Sequence, residues 1–169
     1  NCLDLTYEDY IEIITGKTAR LFAAACSVSG ALAGKDQNVI DALYDFGLNL
    51  GILFQITDDQ LDYMADIKHL DKNLGDDFME GKVTLPVILS NQINENREFW
   101  HEIFGKDLRD KADLERAIKL MNQDNLADKI TKIKEFYYCR AKAALNGLEN
   151  SRALELLHAL LEFTISRNY

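Results

Sequence analysis

The sequence predicts an all-α fold, and three observations carry that expectation. Only one proline (Pro86) and nine glycines occur in 169 residues, too little punctuation for a loop-rich or all-β chain. Hydrophobic residues make up 47% of the chain and recur at helical spacing over long stretches. No stretch of useful length alternates apolar and polar with a period of two. The length suits one domain with a buried core, so residues 1–169 read as a single all-α unit.

The elements follow in order. Thr6 caps a first helix whose third residue is Asp9, a capping-box variant. Apolar positions then run from Tyr10 through Leu32, and Gly34 is the stop. A second helix spans Val39 to Met64. A polar segment, Ala65 to Lys82, carries Gly75 and Gly81. Thr84 and Pro86 suit the first turn of a third helix, Leu85 to Ile93. Shorter amphipathic stretches follow at Arg97–Phe104, Ala112–Met121 and Leu126–Leu145. A last helix, Arg152 to Ser166, takes Ser151 as cap, with Leu154, Leu157, Leu160 and Leu161 as its apolar stripe.

The net charge of −9 argues against nucleic acid or an anionic membrane as the main partner. It leaves room for an anionic substrate, because bound metal ions invert the local sign. Cys2, Cys26 and Cys139 are odd in number and far apart. They make no disulfide framework and fit a reducing cytoplasm. No signal peptide is visible, and the longest uncharged stretch, Leu21 to Gly34, is too short to span a bilayer. The chain begins with Asn, so it is expected to be processed or cut from something longer.

Asp58-Asp59-Gln60-Leu61-Asp62 is the most informative stretch. Asp58 and Asp62 share one helix face. At roughly 6 Å, two like charges repel by about 3 kcal/mol at an effective dielectric of 20, and by under ~1 kcal/mol in water. The cluster is therefore either fully solvated or built for a cation. Gly47, Gly51, Gln55, Asp58 and Asp62 fall within ~80° on that helix, with Tyr44 a turn earlier. Each helical glycine costs about 1 kcal/mol relative to alanine. Two on one stripe mean either close helix packing or a groove for an apolar tail along Gly51 and Gly47. The carboxylates sit at the mouth of an apolar run. Mg²⁺, which takes one or two carboxylates plus substrate phosphates, suits them. His69, His101 and His158 show no zinc spacing.

Gly16-Lys17-Thr18 interrupts the first helix and is not a P-loop, since the upstream glycine of that pattern is absent. Lys72-Asn73-Leu74-Gly75-Asp76-Asp77 and Glu80-Gly81-Lys82 add further charge. Lysines that cradle a diphosphate neutralise a developing leaving group, and metal ions do so more strongly. A solvated helix end and ordinary surface lysines remain the plain reading of each piece alone.

Taken in order, Gly16-Lys17-Thr18, Phe54-Gln55-Ile56-Thr57-Asp58-Asp59-Gln60-Leu61-Asp62, Lys72 to Asp77 and Glu80-Gly81-Lys82-Val83-Thr84-Leu85-Pro86 resemble the C-terminal half of the trans-isoprenyl diphosphate synthases. The likeness is greatest to long-chain polyprenyl members such as octaprenyl diphosphate synthase. It covers about Leu5 to Leu89. The resemblance implies a helical bundle around a central cavity, a homodimer of the complete enzyme, and Mg²⁺-dependent condensation of isopentenyl diphosphate onto an allylic diphosphate. The product would be a long all-trans polyprenyl diphosphate, a quinone side-chain precursor. It implies a metal site at Asp58 and Asp62, with Asp59 in support and Asp76 in an outer shell. Lys17 and Lys72 match lysines on the allylic diphosphate. Thr18 and Gln55 match polar residues near the allylic cation. Lys82 lies in a family motif and is counted with the substrate-binding residues, as is Gly51 on the tail side. Arg167 matches a terminal basic residue that reaches isopentenyl diphosphate.

The family has two aspartate-rich motifs, and the sequence contains only the second. Asp76, Asp77 and Glu80 repeat the acidic spacing but belong to the loop after it. The chain is thus expected to be a partial isoprenoid synthase domain lacking its N-terminal half, inactive alone. The alternatives are a non-catalytic or regulatory helical subunit, a truncated remnant, and a terpene cyclase. Against the last, the Gly-Lys-Thr and Glu-Gly-Lys-Val-Thr-Leu-Pro segments look like chain elongation.

Overall fold

The computed structural model describes residues 2–64 and 75–167. Every regular element among them is helical: α1 (Tyr7–Ile14), α2 (Arg20–Leu32), α3 (Gln37–Met64), α4 (Asp76–Glu80), α5 (Leu85–Asn91), α6 (Arg97–Phe104), α7 (Lys111–Gln123), α8 (Leu126–Ala144) and α9 (Arg152–Ser166), with short 3₁₀ turns at Cys2–Asp4 and Asn94–Asn96. A π-helical turn, Thr15–Ala19, joins α1 to α2.

The caps explain the helix limits. Thr6 and Asp9 exchange the reciprocal bonds of a capping box at 3.1 and 3.0 Å. Helix α2 ends in a Schellman motif, with Gly34 left-handed at φ 65° and bonds from Gly34 to Ala31 and from Lys35 to Gly30. Asp36 then caps α3 by accepting from the Val39 backbone at 3.0 Å. The cap starts α3 two residues before the position expected from apolar spacing alone. Ser151 caps α9, as its sequence suggests.

The described residues form two compact units. One contains the residues up to Tyr10 and Asp58–Thr131. Its core gathers Tyr63, Phe78, Val87, Trp100, Ile103, Leu114 and Met121. Edge-on aromatic contacts tie Phe78 to Tyr63 and Phe104, and the Trp100 indole donates to Ser90 at 2.9 Å. Asp110 and Asp113 make a capping box on α7, and Lys106 pairs with Asp113 at 2.6 Å. That lysine and the cap hold the Asp113 carboxyl below its ordinary pKa despite some desolvation.

The other unit contains Ile11–Thr57 and Lys132–Arg167. Ile14, Ala19, Ala23, Phe46, Leu50, Leu53 and Ile56 are nearly fully buried in it, with Tyr137, Ala141, Leu145 and Leu161 from α8 and α9. By length and composition Gln37–Tyr63 of α3 is apolar enough to cross a membrane, a test that buried core helices also pass. Leu160, expected in the inward stripe of α9, is 45% exposed. Helix α9 has a second apolar face, made of Leu156, Leu160 and Phe163.

Candidate active site

The aspartate cluster occupies the last turns of α3. Asp58 is exposed, Asp59 is buried and Asp62 is half-buried. The Tyr10 hydroxyl donates to Asp59 at 2.7 Å. Burial and the adjacent carboxylate push the Tyr10 pKa far above its ordinary value, so the phenol stays a donor. Asp59 is thus turned into the unit as an anchor, and Asp58 and Asp62 are left as the pair one turn apart.

Asp62 is fixed by the start of α4. Gly75 donates its backbone N–H to Asp62 Oδ1 at 3.0 Å, and Asp77 donates to Oδ2 at 3.2 Å. Gly75 adopts φ 84°, and a Cβ there would lie 2.3 Å from Leu114. Only glycine suits that corner. Burial, reinforced by the Asp77 charge, outweighs the backbone donors and pushes the Asp62 pKa up to about 6. Such a carboxylate favours a nearby cation.

No three His, Cys, Asp or Glu side chains converge to hold a metal ion by themselves among the described residues. The donor set at Asp58 and Asp62 is all oxygen. It fits an ion that takes two carboxylates and completes its shell from substrate and water, the habit of Mg²⁺. Asp76 is exposed at the first position of α4, and the acid of that helix that acts on Asp62 is Asp77. The sequence reading missed Asp77 in this role, although its place in the acidic repeat was a signal. Lys82 bridges Asp77 and Glu80, both at 2.7 Å. Those contacts raise its pKa and tie it to the two ends of α4. Lys72 lies outside the described residues.

In the other unit, Gly16, Lys17 and Thr18 form the π turn. Arg20 donates back to Thr15, five residues away. The Thr18 hydroxyl donates to Gln55 Oε1 at 2.9 Å, which fixes the amide on α3. Lys17 is exposed on the same turn. Arg167, at the end of α9, places its guanidinium 5.2 Å from the centre of the Phe54 ring, which packs against Phe22 at 5.5 Å.

The glycines of α3 are settled by what faces them. A Cβ on Gly47 would lie 2.6 Å from the Phe22 carbonyl oxygen, and one on Gly51 would lie 2.6 Å from Ala19 Cα. Close packing of α2 and the π turn on α3 fills that face. For Gly51 this replaces the expected contact with a substrate tail: no space for a tail is left in front of it.

The family model described as Polyprenyl synthetase matches residues 1–121. The chain is 35% identical to the geranylgeranyl diphosphate synthase of Saccharolobus solfataricus over 174 residues, covering 99% of this chain and 51% of that protein. It is 52% identical to the octaprenyl diphosphate synthase of Escherichia coli over 85 residues, covering 50% of this chain and 26% of that protein. The crystal structure of a polyprenyl synthase from Caulobacter crescentus, complexed with calcium and isoprenyl diphosphate, superposes with a TM-score of 0.89 at 40% identity, covering 99% of this chain and 52% of that one. The chain thus spans about half the length of the full-chain relatives it matches. With matched residues over well more than half of its length and the same all-helical architecture, the chain belongs to the polyprenyl synthetase family.

Proposed function

We propose that these residues supply the allylic-diphosphate end of a Mg²⁺-dependent prenyltransferase, which lengthens an allylic prenyl diphosphate with isopentenyl diphosphate to a long-chain all-trans product. The observation that carries the reading is the Asp58–Asp62 pair. Its second member is held by two backbone donors and pushed up in pKa by burial and Asp77. Similarity to prenyl diphosphate synthases supports the reaction class.

In this reading Asp58 and Asp62 hold the ion. When bound, Mg²⁺ neutralises charge on the departing diphosphate. Asp59 and Tyr10 fix the direction of the aspartate pair. Lys17 and Lys72 bind diphosphate oxygens. Thr18 orients Gln55, and the family resemblance assigns this pair to stabilising the positive charge that forms as the allylic C–O bond breaks. The double bond of isopentenyl diphosphate then attacks, and a proton is lost from the new unit. The reaction needs both aspartate-rich motifs of the family, so the 169 residues alone are expected to be inactive.

The test combines these residues with a polypeptide carrying the first aspartate-rich motif, in one chain or in trans. The mixture should convert labelled isopentenyl diphosphate into polyprenyl product with Mg²⁺, and Asp58→Asn or Asp62→Asn should lower the rate at least about 100-fold. Full activity in either variant would overturn the reading. Product from the 169 residues alone would overturn the claim of incompleteness.

A further inference from the structure

Helix α4 is too short to hold itself. Its five residues close little more than one turn, and an isolated helix of that length is unstable in water. Yet it begins with the backbone donors that fix Asp62. What holds α4 therefore decides where the Asp62 carboxylate is held.

Phe78 is the apolar part of the answer: it is fully buried, edge-on to Tyr63 and Phe104. The polar part lies at the far end of the helix. A helix leaves its last carbonyls without intrahelical donors. Lys82 donates its backbone N–H to the Asp77 carbonyl at 2.9 Å, and Gly81 donates to the Phe78 carbonyl at 3.0 Å. The Met79 carbonyl is met from outside, by Arg109 Nη2 at 3.2 Å. The same guanidinium donates through Nη1 to the Lys106 carbonyl at 3.3 Å and lies 5.4 Å from the centre of the Phe104 ring. Gly81 makes room for it: a Cβ there would lie 2.6 Å from Nη2. Arg109 thus straps α4 to the connection after α6. A lysine ammonium, with one nitrogen in place of a planar fork, could not serve both carbonyls in this way. The plain reading is an arginine that caps a helix and does nothing more. Against it stands the length of α4: at about 7.5 Å from end to end, whatever shifts Met79 also shifts Gly75 and Asp77.

We infer that Arg109 is a positioning residue for Asp62: by holding the C-terminal end of α4, it keeps the Gly75 and Asp77 N–H groups on the carboxylate. Its value for catalysis rests on the prenyltransferase reading above, in which Asp62 holds the ion. The mechanical link from Arg109 through α4 to Asp62 does not.

The test is amide hydrogen exchange, followed by NMR on the 169-residue chain in EDTA. Arg109→Met should speed exchange of the Gly75 and Asp77 amides about ten-fold or more relative to the core amides of Ile88 and Met121. Arg109→Lys should fall between that variant and the wild type, and it carries the test if Arg109→Met fails to fold. Arg116→Met removes a guanidinium that also covers a phenylalanine, 5.2 Å from the centre of Phe99, but whose ion pairs are with Glu102 and Asp113. It should leave Gly75 and Asp77 unchanged. Equal acceleration at all four amides would reduce Arg109 to a general stabiliser and overturn the inference. So would unchanged exchange at Gly75 and Asp77, or the same local effect from Arg116→Met. With Mn²⁺ in place of EDTA, paramagnetic broadening should centre on Asp58 and Asp62 in the wild type. Absence of that broadening would sink the metal reading and leave the positioning role standing.

Discussion

Around Gly47 and Gly51, helix α3 meets backbone and the first carbons of side chains at contact distance, whereas from Asp58 to Asp62 it meets hydrogen-bond donors and charge. The glycine stretch is specified by the absence of atoms. The aspartate stretch is specified by partners: Tyr10, Gly75 and Asp77 each fix one carboxylate oxygen or its charge. The contrast teaches that residues sharing one stripe of a helix need not share one purpose. Steric rules have no tolerance at the first stretch, and electrostatic rules at the second are graded and respond to pH and ions.

The largest expected effect is at the steric end. Gly51→Leu forces a side chain into Ala19 and should destabilise the unit by about 3 kcal/mol or more, read by thermal or urea unfolding. An unchanged midpoint would return Gly51 to a groove and erase the contrast. Next comes Tyr10→Phe, which deletes the donor to buried Asp59. A loss of about 1–3 kcal/mol is expected, and no loss would mean that Asp59 does not depend on the bond.

A smaller, pH-dependent effect belongs to Asp62. Its folded pKa, about 6, lies above the ordinary 3.8. The folded state therefore holds the proton more tightly, and this contribution to stability is complete at low pH and is lost as pH rises through about 6. Asp9 and Asp113, held below the ordinary value, act in the opposite direction. The melting temperature of the wild type relative to Asp62→Asn, followed in EDTA, should fall across that window. A flat difference would remove the electrostatic account of Asp62. Smallest of all, Lys82→Met cuts two exposed ion pairs and should shift stability by under about 1 kcal/mol. A larger loss would make α4 depend on Lys82.

Sequence reading captured what is local. Thr6, Gly34 and Ser151 mark helix ends because caps act over three or four residues. It found the aspartate face, because helical spacing suffices for that. It did not find Tyr10 as the partner of Asp59, since 49 residues separate them. The short α4, bounded by left-handed Gly75 and Gly81, has too few residues to show a period. The two possible meanings of Gly47 and Gly51 were visible, but choosing between them required knowing that Ala19 and Phe22 lie opposite.

The π turn at Thr15–Ala19 carries an implication for how this segment tolerates insertions and deletions. A turn of five residues with a bond from Arg20 to Thr15 is an α-helix with one residue added. Removing a single codon, that of Gly16, would let the helix rewind to its ordinary pitch. The wide turn already absorbs the extra residue, so residues 11–14 and α2 would keep their phase relative to each other. The loss would fall on the turn itself, where Thr18 meets Gln55 and Ala19 seats against Gly51. A three-nucleotide deletion would thus leave the flanking helices in register and alter only how Lys17 and Thr18 are presented.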